Sequence, residues 1–79
     1  MRTTENSMVE TTLLLALQKG SPVEIIYQSG RGITQRVIQP IKIGTDWVDA
    51  YCRLRKARRK FRLSGILSAR ILSEFNPMN

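Results

Sequence analysis

Histidine is absent from this chain and cysteine occurs once, as Cys52. An internal disulfide and any zinc site built from Cys and His are thereby excluded. A chain of 79 residues buries a modest share of its surface, and disulfides or metals are the usual remedies. With neither open to it, the expected support is a larger partner or a homo-oligomer, a dimer before other states. Long apolar runs are also missing. The longest, Leu13–Leu17, falls far below the roughly 18 residues of a membrane span. It is too short for the core of a secretory signal, and no cleavage site follows it. A cytoplasmic location with no membrane contact is expected. Catalytic groupings are lacking too: no His, no paired carboxylates, and no glycine-rich loop ending in Gly-Lys-Ser/Thr. The stretch Ser29-Gly30-Arg31-Gly32 reads as a turn before a strand. The chain is not expected to be an enzyme or to carry a cofactor or metal.

Acidic residues vanish between Ala50 and Ser73. That stretch carries a charge of +8, whereas the other 55 residues carry −1, so the net +7 of the chain is a local feature. The segment Asp46–Ile71 also holds the single Trp and one of the two Tyr residues. Arg outnumbers Lys within it, and a guanidinium group can pair with phosphate through two parallel bonds. A basic run can equally be a solvated surface on a hairpin tip. The apolar fraction of 42% is that of a globular protein and argues against a disordered basic tail.

Along the chain, Ser7 and Glu10 form an S-x-x-E capping box, followed by Val9, Leu13, Ala16 and Leu17 at helical spacing. Gly20 stands where a C′ glycine would close a helix, and Pro22 prevents continuation. The spacing predicts a helix over about Met8–Lys19. Its broad apolar centre could meet a second subunit or be buried within its own domain. From Pro22 the period changes to two. Strands are predicted over Val23–Gln28, Ile33–Ile43, Trp47–Leu54, about Arg59–Leu63 and about Leu67–Ser73. Pro40 cannot donate to a ladder, so it marks an edge, a bulge or a bend. No internal repeat is visible. Residues 1–79 read as a single domain, with a helix at about 8–19, a barrel at about 22–73 and a tail at 74–79. The expected fold is mainly β: an N-terminal helix followed by a five-stranded antiparallel barrel of the SH3-like or Sm-like kind.

Alternation places Val48, Ala50, Cys52 and Leu54 of the third strand on the core face, and Trp47, Asp49, Tyr51 and Arg53 on the other. In the fourth strand, Phe61 and Leu63 face inward with Arg59, while Arg58, Lys60 and Arg62 face outward. A tight hairpin through Lys56-Ala57 would pair Arg53 with Lys60, Tyr51 with Arg62 and Cys52 with Phe61. It would set like charges opposite one another on the outer face, a destabilising choice unless an anion sits there. Competing roles are structural: Trp47 as a plug at one barrel end, Tyr51 with Arg62 as a cross-strand cation–π pair, Cys52 as core, and Arg36 in an ion pair with Glu24.

The run Trp47-Val48-Asp49-Ala50-Tyr51-Cys52-x-x-Arg55, followed by Arg59-x-Phe61-Arg62-Leu63-x-x-Ile66, resembles the signature of WYL domains. Upstream, Ile25-x-Tyr27 and Arg36-Val37-Ile38-x-Pro40 are similar to that family's first two strands. Val48 and Asp49 replace the Tyr and Leu of the family's name, and Gly65 stands where the family usually has Arg. The resemblance spans roughly Val23–Leu72. It implies a barrel that senses a charged ligand, commonly single-stranded nucleic acid or a nucleotide, in transcription regulators that usually carry a separate DNA-binding domain. It also implies that Tyr27, Arg36, Tyr51, Arg55, Arg59 and Arg62 line the binding surface. Arg53 and Lys60 of the same basic hairpin complete the candidate set.

The leading expectation is therefore a ligand-sensing, regulatory module for an anion. Arg side chains would pair with phosphates, and Tyr51 and Trp47 would offer faces to bases. Possible partners are single-stranded nucleic acid or a nucleotide, a second copy of the chain, and a separate DNA-binding regulator. The alternative is a protein-interaction module, or an Sm-type ring protein, that binds an acidic partner surface.

Overall fold

The computed structural model describes residues 4–72, with side chains from residue 8 onward. The expected tail and the Ser7 side chain lie outside the described residues. Helix α1 spans Thr4–Lys19. Ser7 and Glu10 thus sit inside the helix and do not mark its start, contrary to the beginning expected near Met8. Once a first turn exists, each further residue gains a hydrogen bond at little extra ordering, so a helix can run through an internal cap signal. Its other end follows the sequence. Gly20 adopts φ 70°. The Gly20 N–H donates to the Leu17 carbonyl at 3.3 Å and the Ser21 N–H to that of Ala16 at 2.9 Å, the two bonds of a Schellman close. Val9, Leu13 and Ala16 are buried, whereas Leu14 and Leu15 on the neighbouring face are exposed.

Five strands follow: β1 (Val23–Ser29), β2 (Gly32–Ile43), β3 (Trp47–Cys52), β4 (Ala57–Arg62) and β5 (Ile66–Ile71), with a 3₁₀ turn at Leu63–Gly65 between the last two. They form one antiparallel sheet in the order β4-β3-β2-β1-β5. The protein is thus mainly β, one helix and five antiparallel strands, as expected. The sheet curls in an SH3-like manner, but among the described residues it is not closed by strand pairing, so β4 and β5 stand at its two ends. Across the gap, the Arg62 N–H donates to the Tyr27 hydroxyl at 3.1 Å. Helix α1 packs on β5 and β2, and its three buried residues join Val23, Ile25, Ile38, Val48, Ala50, Cys52, Phe61, Leu63 and Ile66 in one core. Among the described residues, no helix is long and apolar enough to cross a membrane.

Pro40 lies at a bulge. It pairs with Ala50, the next paired residue is Lys42 opposite Asp49, and Ile41 is skipped. A missing donor is harmless where the ladder is already interrupted.

The β3–β4 hairpin departs from the expected register. Cys52 pairs with Ala57, Ala50 with Arg59 and Val48 with Phe61, a shift of four residues. The chain turns through Arg53-Leu54-Arg55-Lys56. The Lys56 N–H donates to the Cys52 carbonyl at 2.8 Å, with Lys56 at φ 54°. Leu54 is consequently 75% exposed instead of lying in the core. A shift by an even number preserves the faces, so the inward set Val48, Ala50, Cys52, Phe61 and Leu63 is buried as expected. The outer pairs change character. Trp47 faces Arg62, Asp49 faces Lys60 and Tyr51 faces Arg58. Like charges are no longer opposed: Arg58 bonds Asp49 at 2.6 Å, and the Lys60 ammonium lies 4.3 Å from the Trp47 ring centroid. These complementary pairs offset the cost of a lysine in the left-handed region, about 1–2 kcal/mol.

Candidate functional site

The inner face of the sheet is apolar at the helix end and turns basic at the other. There a cavity of about 640 Å³ opens between the β1–β2 and β3–β4 turns. Its arginines come from separate elements. Arg36 arises from the inward alternation of β2, two residues before buried Ile38. Arg59 stands on β4 two residues before buried Phe61, on the same face. Arg55 comes from the four-residue turn and Arg31 from the β1–β2 turn, whose closing pair is Ser29 with Gly32. Ser29 accepts the Arg31 N–H at 3.2 Å and shapes that turn. All four arginines line the cavity, with Tyr27 and Phe61 among its other walls.

Arg36 is held in place. Its Nε donates to Thr34 Oγ1 at 3.3 Å and its Nη1 points at Cys52 Sγ at 3.9 Å. The expected alternative, an ion pair with Glu24, does not form. Glu24 bonds Arg70 at 2.6 Å and also accepts from Gln35. The Arg70 and Gln35 hydrogen bonds hold the Glu24 carboxyl below its ordinary value of 4.5. Cys52 is buried in the core as expected, but it is not isolated. Burial alone would push its thiol up; hydrogen bonds from the Arg55 backbone, the Arg36 guanidinium and the Leu54 backbone outweigh this and hold it below 9.0.

Tyr27 and Phe61 meet edge to face, with centroids 5.1 Å apart and planes at 84°. Gly65 abuts the same ring. A Cβ at that position would lie 2.8 Å from the Gln28 carbonyl oxygen and 2.9 Å from Tyr27 Cε1. The arginine that the resemblance leads one to expect there has no room beside Tyr27 in this arrangement. Among the described residues, no carboxylate pairs with Arg31, Arg36, Arg55 or Arg59. No described group of three or more His, Cys, Asp or Glu residues could hold a metal ion.

Of the eight residues singled out from the sequence, the cavity brings together Tyr27, Arg36, Arg55, Arg59 and Lys60. The ammonium of Lys60 is engaged by Trp47. Tyr51 lies on the outer face opposite Arg58 and not Arg62. Arg53 stands beside Leu54 and Val37 at the outer end of the hairpin. Arg62 lines a separate opening of about 570 Å³ with Trp47, Asp46 and Glu10. Trp47 packs over Gly44, where a Cβ would sit 2.7 Å from its ring. Sequence reasoning missed Arg31. Its signal was the shortness of the Gly30-Arg31 loop, which sets Arg31 close to the end of β1 that carries Tyr27.

Comparison with known proteins agrees with this architecture. No curated protein sequence matches the chain. Among solved structures, proteasome accessory factor B/C (PafBC) of Arthrobacter aurescens is similar over 94% of this chain, with a TM-score of 0.83 and 21% identity. That likeness is one of fold, and the matched part is 12% of the PafBC chain. The WYL domain family matches residues 9–71, a span that takes in most of α1 and every strand through the end of β5. The inward Arg36 of β2, the β3–β4 hairpin with its basic tip and the strands around them all fall within that match, and the chain belongs to the WYL domain family.

Proposed function

We propose that this chain is a ligand-sensing, regulatory module that binds an anion, single-stranded nucleic acid or a nucleotide, in the arginine cavity. The observation that carries the reading is the convergence of Arg31, Arg36, Arg55 and Arg59 from four places in the chain on one opening. No described carboxylate is paired with any of them. Stability alone favours interleaved charges, as on the outer face of the same hairpin. Four guanidinium groups beside one another are instead suited to bidentate pairing with phosphate oxygens.

The test is binding of a labelled single-stranded oligonucleotide to the wild type and to an Arg36→Ala/Arg59→Ala double variant at two salt concentrations. Neutralising about four phosphates gives a slope of log K against log salt near −3, and the double variant binds at least tenfold more weakly. Equal binding by both proteins refutes the site.

Exposed Leu14 and Leu15 of α1, with Met8 and Leu67 also exposed, favour association with a second copy of the chain. Mass measurement in solution distinguishes a dimer from a monomer or a ring.

A further inference from the structure

The arginine cavity is rich in charge and poor in free aromatic surface. Phe61 is only 2% exposed. Tyr27 is half-buried, meets Phe61 in an edge-to-face contact, lies against Gly65 and uses its hydroxyl to accept the Arg62 N–H. Trp47 and Tyr51, which could offer faces to bases, point away on the outer side of β3. The Trp47 ring is already occupied by Lys60 and Gly44. By contrast, Arg36 is oriented through Nε and Nη1, and among the described residues its Nη2 has no partner.

Resting on the anion-binding reading above, we infer that this cavity recognises clustered phosphate groups and is indifferent to the bases attached to them. Arg36 is the fixed floor contact. Arg31, Arg55 and Arg59, all exposed, close on the ligand from the two turns and from β4. The ligand is expected to present at least two phosphates close together, because the four guanidinium charges around the opening exceed the charge of about −2 that one phosphate brings. Either a sugar–phosphate backbone or a free polyphosphate has that chemistry. Base-stacking proteins gain about five- to 150-fold per stacked base, and here that gain is absent.

The experiment uses the full chain and a labelled single strand of ten nucleotides, compared with an abasic strand of equal length. Inorganic triphosphate and an unphosphorylated nucleoside serve as competitors. The two strands are expected to bind within about twofold of each other, triphosphate to displace both, and the nucleoside to displace neither. Triphosphate that competes at lower concentration than unlabelled strand identifies a free polyphosphate as the better ligand; the opposite ranking identifies a strand. A base-bearing strand that binds tenfold or more tightly than the abasic one overturns the inference and leaves the anion-binding reading intact. So does a tenfold loss of strand binding in Tyr51→Ala, a substitution at an exposed position of the outer face. Failure of both strands and of triphosphate to bind at low salt overturns the inference together with the reading on which it rests.

Discussion

Position 65 shows how much can hang on a missing side chain. A methyl group there meets the Gln28 carbonyl oxygen and the Tyr27 ring at 2.8 and 2.9 Å. The carbonyl belongs to the backbone of β1 and cannot swing aside, and the ring is pinned by Phe61 and by the Arg62 N–H. Gly65→Ala is therefore expected to cost about 1–3 kcal/mol, read as a lowered urea midpoint with an unchanged slope. Arg36 makes the opposite case, a residue whose identity matters more for a ligand than for the fold. Arg36→Lys keeps the charge but loses the planar fork that Thr34 and Cys52 orient. The expected result is roughly tenfold weaker oligonucleotide binding, about 1.4 kcal/mol, with little change in the urea midpoint. A loss of stability equal to the loss of binding would show that Arg36 is chiefly structural.

At the scale of elements, the β3–β4 turn sets which side chains meet. Lys56 sits at φ 54°, which proline cannot adopt. Lys56→Pro should unravel this turn and expose β4, seen as loss of amide-exchange protection from Ala57 to Arg62 ahead of β1 and β2. The β1–β5 seam depends on pH through Glu24 and Arg70, whose side chains meet at 2.6 Å. The folded-state value of Glu24 lies below 4.5, so its contribution is fully present above about pH 4.5 and fades as pH falls through the lower folded value. Urea midpoints of wild type and Glu24→Gln should thus differ at pH 7 and converge as pH falls through the lowered folded-state value of Glu24. What the sequence could reveal at this scale follows from parity. Alternation in WVDAYC and RKFRL assigns faces whatever the turn, so the buried side of the hairpin was legible. Register was not, because a four-residue turn with one left-handed lysine carries no Gly or Asn to announce it. The same blindness hid the complementarity of Asp49 with Arg58 and of Trp47 with Lys60. Arg36 could be read as inward from its spacing to Ile38, whereas the approach of Arg31 depends on how two hairpins curl together, which no local pattern encodes.

Taken as a whole, the molecule treats its basic residues in two ways, with Lys60, which is held by Trp47 and also borders the cavity, at the boundary between them. On the outer face, Arg58 and Arg70 are paired with carboxylates and Lys60 with an aromatic ring. Around the cavity, no described carboxylate pairs with the arginines. Arg58→Gln should affect stability slightly, by less than about 1 kcal/mol for so exposed a pair, and leave strand binding within twofold. Arg59→Gln should do the reverse, leaving the melting temperature unchanged or raised while binding falls several-fold.

The four arginines around one opening also repel one another while the protein is empty. Such repulsion is screened over about 10 Å at 0.1 M salt, so added salt relaxes it, and the empty protein should melt a few degrees higher in 0.5 M than in 0.05 M sodium chloride. A bound anion supplies that screening itself and is loosened by competing ions. Ionic strength thus acts with opposite sign on the empty and the filled states, and the gap between their melting temperatures should be widest in dilute buffer and close as salt is added.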